Sequence, residues 1–227
     1  MKSEFLSQMS HEIRTPLNVI LSYNSFLQDE LSNMVAEDIR LSFNSIDSAG
    51  KRLLRTIDMI LNLAAVQKGN FEVKLEMIDI GKIVKSITQE FELQVKEKNL
   101  YLKVDMPADV IYIPGDEYLV SEIFQNLLSN AIKYTNTGGV EVGLSVFSNT
   151  KVKVDIKDTG IGISEKYLPK LFVPFTQEET GYTRKFEGNG LGLALVKSYL
   201  DLLKAEIKIK SEKGKGTVFS IIFNSIN

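Results

Sequence analysis

The sequence has no cysteine and only one histidine in 227 residues. The first lack excludes disulfides, thiolate zinc sites and cysteine nucleophiles. The second excludes a metal centre built on several histidines and any mechanism that needs two working imidazoles. Long apolar runs are missing too: none approaches the ~20 residues that span a bilayer. The opening "MKSEF" leads into polar, helix-like sequence, not a signal peptide. These absences predict a cytoplasmic chain without a membrane segment, and the abrupt start suggests a piece of a longer parent, membrane-anchored or soluble. Nor is there a surplus of either charge. Lys and Arg number 27 against 29 Asp and Glu, a formal net charge of −2, which argues against nucleic acid as a partner.

What is present is ordinary globular composition, 44% apolar and 25% charged, arranged in two unlike parts. Residues 1–68 show no strand-like alternation. Leu6, Met9, Ile13, Pro16, Ile20, Tyr23 and Leu27 recur in steps of three and four, as do Ile39, Phe43, Ile46, Gly50, Leu53, Ile57, Ile60 and Ala64. Both runs fit a heptad seam, with Gly50 the weak point of the second. The polar stretch 28–38 separates them, so an antiparallel helical hairpin is expected. A hairpin of that size buries too little by itself, and below about 70 residues a scaffold needs staples or a partner. A second copy would complete a four-helix bundle, which predicts a homodimer through residues 1–68.

From residue 69 to 227 strands and helices alternate. Strands are expected over 71–79, "LYLKVDM", "VIYIPG", the hairpin "VEVGLSVFSN" with "KVKVDIKD", "AEIKIKS" and "TVFSIIF". Helices are expected over 80–99, 117–135 and 190–204. The fold class is therefore a helical hairpin followed by a two-layer α/β sandwich.

Three stretches of the second part carry ligand chemistry. In "NLLSNAIKYT", Asn126 and Asn130 are four residues apart and share a helix face with Glu122, Lys133 and Tyr134. Asn competes for backbone bonds inside a helix, so two of them are a local cost wanting a reason. Amide oxygens suit a hard cation such as Mg²⁺, and Lys133 suits a phosphate; a merely solvated polar face accounts for the pattern about as well. In "DTGIGI", Gly160 and Gly162 permit close backbone approach, and Asp158 at the strand end can accept from a purine amine. A plain glycine turn is the alternative. In "EGNGLGLAL", Gly188, Gly190 and Gly192 open a helix, the arrangement that offers free N–H groups to an anion. The spacing fits neither a P-loop nor a dinucleotide fingerprint. Between the last two motifs lies a polar stretch flanked by glycines. It reads as a lid or as an ordinary surface loop, with Phe172 and Phe175 as apolar anchors and Arg184 and Lys185 as closing cations.

The lone histidine sits in "QMSHEIRTPL". With Leu6 at heptad position a and Met9 at d, His11 falls at f, farthest from the seam, so it is not a core histidine. Thr15 lies one turn on, with its hydroxyl expected to point at His11. Glu12 is about 100° round the helix. Pro16 removes a backbone donor and should bend the helix beside the site.

Taken together, "SHEIRTPL", "NLLSNAIKYT", "DTGIGI", "LFVPFTQ", "GNGLGLAL" and "GKGT" resemble, in order, the phosphoacceptor, N, first glycine, F, second glycine and third glycine boxes of the two-component sensor histidine kinases. The likeness runs from Phe5 to Phe223. It implies a dimerisation and histidine-phosphotransfer hairpin joined to an ATP-binding domain of the Bergerat type, with ATP and Mg²⁺ as ligands. By the resemblance, Asp158 reads the adenine amine and Asn130 holds Mg²⁺ with Asn126 alongside. Lys133 and Tyr134 line phosphates and adenine. Gly160 and Gly162 shape the adenine side, the Gly188–Gly190–Leu191–Gly192 turn cradles phosphates, and Thr217 supports adenine through water. The lid wording resembles the hybrid-type branch, which puts Gln177 and Arg184 near the γ-phosphate; Asn189 stands where that branch often has Thr. The implied activity is autophosphorylation of His11, with Glu12 orienting the imidazole. The phosphoryl group then passes to an aspartate in a response-regulator receiver domain. Thr15 takes the position that orients a water for dephosphorylating that regulator. A dimerising scaffold with a degenerate nucleotide domain, and a gyrase-like or chaperone-like ATPase, are the rival readings.

Overall fold

A computed structural model describes residues 2–31, 34–178 and 188–225, with side chains from residue 11 onward. They divide into two compact units, Met1–Phe71 and Glu72–Asn227.

The first unit is a hairpin of two long helices, α1 (Lys2–Leu31) and α2 (Glu37–Gln67). Glu37 and Asp38 place negative charge in the first turn of α2, where the helix dipole favours it. On α1, the face turned to α2 carries Arg14, Leu17, Leu21, Asn24, Gln28 and Leu31, again in steps of three and four. Asn24 donates to the Phe43 carbonyl (2.9 Å), Gln28 donates to the Asn44 side chain (2.9 Å) and Arg14 pairs with Asp58 (2.6 Å). The run expected on α1 lies largely on another face, and the run expected on α2 mixes two faces, with Phe43, Gly50, Ile57, Ile60 and Ala64 half-buried or buried. Ile20, Tyr23 and Leu27 are 54%, 66% and 42% exposed, as are Ile39, Ile46 and Leu53 at 46%, 45% and 48%. Each helix thus carries two apolar stripes. One closes the hairpin; the other lies bare.

Gly50 is not a weak point. It is buried in an unbroken α2, and a Cβ there would lie 2.5 Å from Leu21 Cδ2. The missing side chain lets the helices approach closely.

The second unit holds a five-stranded sheet of order β2-β4-β5-β7-β6: β2 (Tyr101–Asp105), β4 (Gly139–Ser148), β5 (Lys151–Asp158), β6 (Glu206–Glu212) and β7 (Gly216–Asn224). Only the β2–β4 pair is parallel. A separate two-stranded ribbon pairs β1 (Glu76–Asp79) with β3 (Tyr112–Gly115). Strand alternation turns Val142, Leu144, Val152, Val154, Ile156, Phe219, Ile221 and Phe223 inward. Against them lie α3 (Ile80–Glu90), α5 (Glu117–Tyr134) and α6 (Gly192–Leu202), which bury Ile83, Ile87, Ile123, Leu127, Ile132, Leu195 and Leu200. The helix expected over 80–99 is interrupted at Phe91 and resumes as the short α4 (Glu92–Glu97). The strand expected over 71–79 pairs only from Glu76, because β3 is four residues long. Asp116 fixes the start of α5: one carboxylate oxygen accepts from the Leu119 amide (3.1 Å), the other from the Lys74 amide (2.8 Å).

Substituting Gly50→Val should force Leu21 out of its rotamer and cost the hairpin about 1–3 kcal/mol. Hydrogen exchange along α2 reads the effect. Unchanged protection would show that the helices have room to spare.

Candidate functional site

In the first unit, His11, Glu12 and Thr15 are all exposed on α1. The Thr15 hydroxyl does not address the imidazole. It donates to the main-chain carbonyl of His11 (3.0 Å), the back-bond that Ser and Thr favour in helices. The helix continues through Pro16, whose missing N–H leaves the Glu12 carbonyl without its usual donor. Two local departures from regular helix bonding therefore flank the histidine.

In the second unit, the candidate ligand residues gather around one end of the sheet. The backbone pairing aligns Asp158 with Thr217 and Thr217 with Ser211. Asp158 is 6% exposed, and its Oδ1 accepts from the amides of Gly160 (2.8 Å) and Thr217 (3.2 Å). Burial pushes its carboxyl above the ordinary value; the two amide bonds oppose this but do not outweigh it. The Thr217 hydroxyl is 2.8 Å from that of Ser211, which also accepts from the Ile163 amide (2.8 Å). Thr217 is thus shared between framework and any ligand.

Gly160 is glycine because the loop after β5 runs against the end of α5. A Cβ there would lie 2.5 Å from the Tyr134 carbonyl, which accepts from the Ile161 amide (3.2 Å). Gly162 has φ +62°, a left-handed conformation that glycine adopts freely.

Helix α5 presents Asn126, Asn130, Lys133 and Tyr134. Asn126 is 3% exposed, its amide nitrogen donates to the Glu122 carbonyl (2.8 Å), and its Oδ1 is 2.9 Å from where a Cβ of Gly192 would sit. One role of this mid-helix Asn is therefore to seat the start of α6. Asn130 is half-buried one turn on and makes no side-chain hydrogen bond among the described residues. The Lys133 ammonium donates to the Tyr134 hydroxyl (3.0 Å) and lies 4.5 Å from that ring's centroid. A Cβ at Gly188 would lie 2.9 Å from Lys133 Nζ and 3.4 Å from Gln177 Nε2, so these three expected ligand residues converge. Leu191 is fully buried, leaving only its backbone for a ligand. Asn189 accepts from the Leu191 amide (3.0 Å) ahead of α6, which has no side-chain N-cap. Gly190, at φ +70°, accepts from the Phe175 amide (3.0 Å) through its carbonyl.

Phe175 is not an apolar anchor: it is 67% exposed, at φ +62°, and Leu171 is the buried residue there. Arg184 and Lys185, with the centre of the expected lid, lie outside the described residues. Three framework residues escaped sequence reasoning. Ser211 and Lys98 act over long sequence separations. So does Glu178, which accepts from the Ser164 amide (3.2 Å) and pairs with Lys213 (3.0 Å). Burial opposes ionisation of Glu178, but Lys213 and Ser164 prevail and hold its carboxyl below the usual range.

Residues 1–69 match the family model of the His Kinase A (phospho-acceptor) domain, and residues 115–225 match that of the histidine kinase-, DNA gyrase B-, and HSP90-like ATPases. An uncharacterized sensor-like histidine kinase of Rhizobium meliloti is 33% identical over 225 residues, 99% of this chain and 43% of that protein. The autoinducer 2 sensor kinase/phosphatase LuxQ of Vibrio parahaemolyticus is 32% identical over 226 residues, 97% of this chain and 26% of its own length. The solved structure of full-length ShkA in complex with AMPPNP aligns with a TM-score of 0.81 at 25% identity, covering 99% of this chain and 46% of that one. The histidine kinase AdeS of Acinetobacter baumannii, at TM-score 0.65 and 23% identity, shares the fold. The chain belongs to the sensor histidine kinase family: it is a catalytic core with a phosphoacceptor hairpin and an ATP-binding domain. It spans less than half the length of these two curated relatives.

The raised Asp158 pKa gives a signed prediction. The folded state favours the protonated acid, so this residue's contribution to stability is fully present below the unfolded value of 3.8 and is lost as pH rises through the raised folded value. Asp158→Asn should therefore raise the melting temperature of the ligand-free protein at pH 7, with the gain vanishing in acid. If Asp158 is the acceptor for the adenine amine, the variant should also weaken ATP binding at least roughly tenfold, because its amide presents a donor to that amine. Tight ATP binding by this variant would remove Asp158 from the site.

Proposed function

We propose that the chain is an ATP-dependent protein-histidine kinase that phosphorylates its own His11 and passes the phosphoryl group to an aspartate of a response-regulator receiver domain. The observation that carries this reading is an exposed histidine on a helical hairpin in the same chain as a site with a buried carboxylate and a lysine beside a glycine turn. A gyrase-like or chaperone-like ATPase would have no use for the first of these features.

ATP is held at the second unit. Asp158 accepts from the adenine amine, Thr217 supports the base, and Lys133, Gln177 and the Gly188–Gly192 turn face the phosphates. The amide oxygens of Asn130, with Asn126 beside it, are hard donors that fit Mg²⁺, and Asn130 has its hydrogen-bonding capacity free among the described residues. Mg²⁺, when bound, neutralises phosphate charge; the cation of Arg184 serves the same end. The imidazole lone pair of His11 attacks the γ-phosphorus, a nitrogen–phosphorus bond forms, and the bond to the β-phosphate oxygen breaks with its electron pair leaving on ADP. Glu12 orients the ring and takes the proton from its other nitrogen. Catalysis is then positioning plus electrostatics.

The bare stripes of the hairpin call for a second copy. Covering Ile20, Tyr23, Leu27, Ile39, Ile46 and Leu53 in a four-helix bundle removes from water the surface that a single hairpin leaves exposed, which for these half-exposed side chains is worth roughly half of the 1.5–3 kcal/mol of full burial. No described helix is long and apolar enough to cross a membrane.

His11→Gln should abolish acid-labile phosphoryl incorporation from labelled Mg-ATP while nucleotide binding persists. Because the chain has one histidine, any phosphohistidine must be this one; label in the variant would overturn the mechanism. Thr15→Ala should retain autophosphorylation and lose phosphatase activity toward the regulator, since the hydroxyl that now bonds to the His11 carbonyl is the group available to orient a water. Regulator dephosphorylation at the wild-type rate would remove that role.

A further inference from the structure

Lys98, the residue that caps the end of α4, makes no hydrogen bond to the side chain of a proposed ligand residue among the described residues. Its ammonium instead donates to three main-chain carbonyls at the end of α5: Ile132 (2.8 Å), Lys133 (3.2 Å) and Thr135 (3.4 Å). An ammonium has three protons, and three carbonyl acceptors match them. The other carbonyls of that turn are held separately. Ala131 accepts from the Thr135 hydroxyl (2.7 Å), and Tyr134 accepts from the Ile161 amide (3.2 Å). Lys98 thus holds the turn from outside it, through charge-assisted bonds at the negative end of the helix dipole. The same turn carries Lys133 and Tyr134, and Asn130 precedes it.

We propose that Lys98 is a positioning residue for the nucleotide: by closing the last turn of α5 it sets where Lys133 and Tyr134 meet phosphate and base. This rests on the reading of the site as an ATP site. The clamp holds backbone, so its loss lets the turn fray or rotate. Lys133, whose Nζ lies 2.9 Å from where a Cβ of Gly188 would sit, then loses its fixed place beside that turn.

The experiment compares nucleotide affinity with stability in the full chain, using AMPPNP with Mg²⁺ in a calorimeter and urea denaturation. Lys98→Met should weaken AMPPNP binding roughly three- to tenfold, the worth of one or two net hydrogen bonds. The control is Asp116→Asn at the other end of the same helix, which turns the acceptor for the Lys74 amide into a donor. It should lower the urea midpoint but leave affinity within about twofold, as expected for an uncoupled site. Should Lys98→Met not fold, Lys98→Gln, with only two donors, carries the same comparison and should fall between it and wild type. Lys98 variants that bind like wild type would overturn the proposal. So would an Asp116→Asn loss of affinity equal to theirs, which would make the effect one of general stability. A wild-type chain that fails to bind AMPPNP would instead sink the ATP-site reading itself.

Discussion

The last turn of α5 leaves four carbonyls without intrahelical donors, and the ATP-binding unit is organised around how they are satisfied. A helix end left unpaired inside a protein costs about 1–3 kcal/mol for each buried group. Here the donors come from three places: the Thr135 hydroxyl, the Lys98 ammonium and the Ile161 amide of the glycine loop after β5. The last is possible only because Gly160 has no side chain to strike the Tyr134 carbonyl. One requirement of helix chemistry thereby joins α4, α5 and the end of the central strand at the place where ligand side chains are carried.

The hairpin obeys a different constraint. Its helices must pack on each other and still offer a surface to something else. Two apolar stripes per helix meet that need, and the polar contacts from Asn24, Gln28 and Arg14 fix the register of the inner one. His11 stands outside both. Beside it the helix is bonded irregularly: Pro16 withholds a donor from the Glu12 carbonyl, while Thr15 adds one to the carbonyl of His11. Irregular bonding lowers the cost of local distortion, which suits the phosphoacceptor role proposed for His11.

Sequence periodicity was a good guide wherever a pattern is local. The alternation of "KVKVDIK" and "TVFSIIF" gave paired strands, and the apolar face of the helix that carries "NLLSNAIKYT" is buried at Ile123, Leu127, Ala131 and Ile132. It failed where the deciding contact is remote. Heptad spacing alone cannot tell which of two stripes faces the partner helix, because both satisfy it. Gly50 looked weak because intrinsic propensity ignores Leu21, and tertiary packing overrode it. Phe175 looked like an anchor by hydrophobicity, but its left-handed backbone turns it outward. Lys98 had no signal at all: its acceptors are 34 to 37 residues away and are backbone atoms.

The mid-helix asparagines show how framework and ligand chemistry divide between similar residues. Asn126 and Asn130 look equivalent by spacing. In the fold, Asn126 is nearly inaccessible, spends its donor on the Glu122 carbonyl and sets its oxygen against Gly192. Asn130, one turn on, is half-buried with its side-chain polar groups uncommitted among the described residues. A group already tied into the framework is pre-organised but has little capacity left; one that is positioned yet uncommitted can exchange water for a ligand at small cost. The cost of placing Asn inside a helix is offset by packing at residue 126, and the ligand role proposed for residue 130 would offset it there.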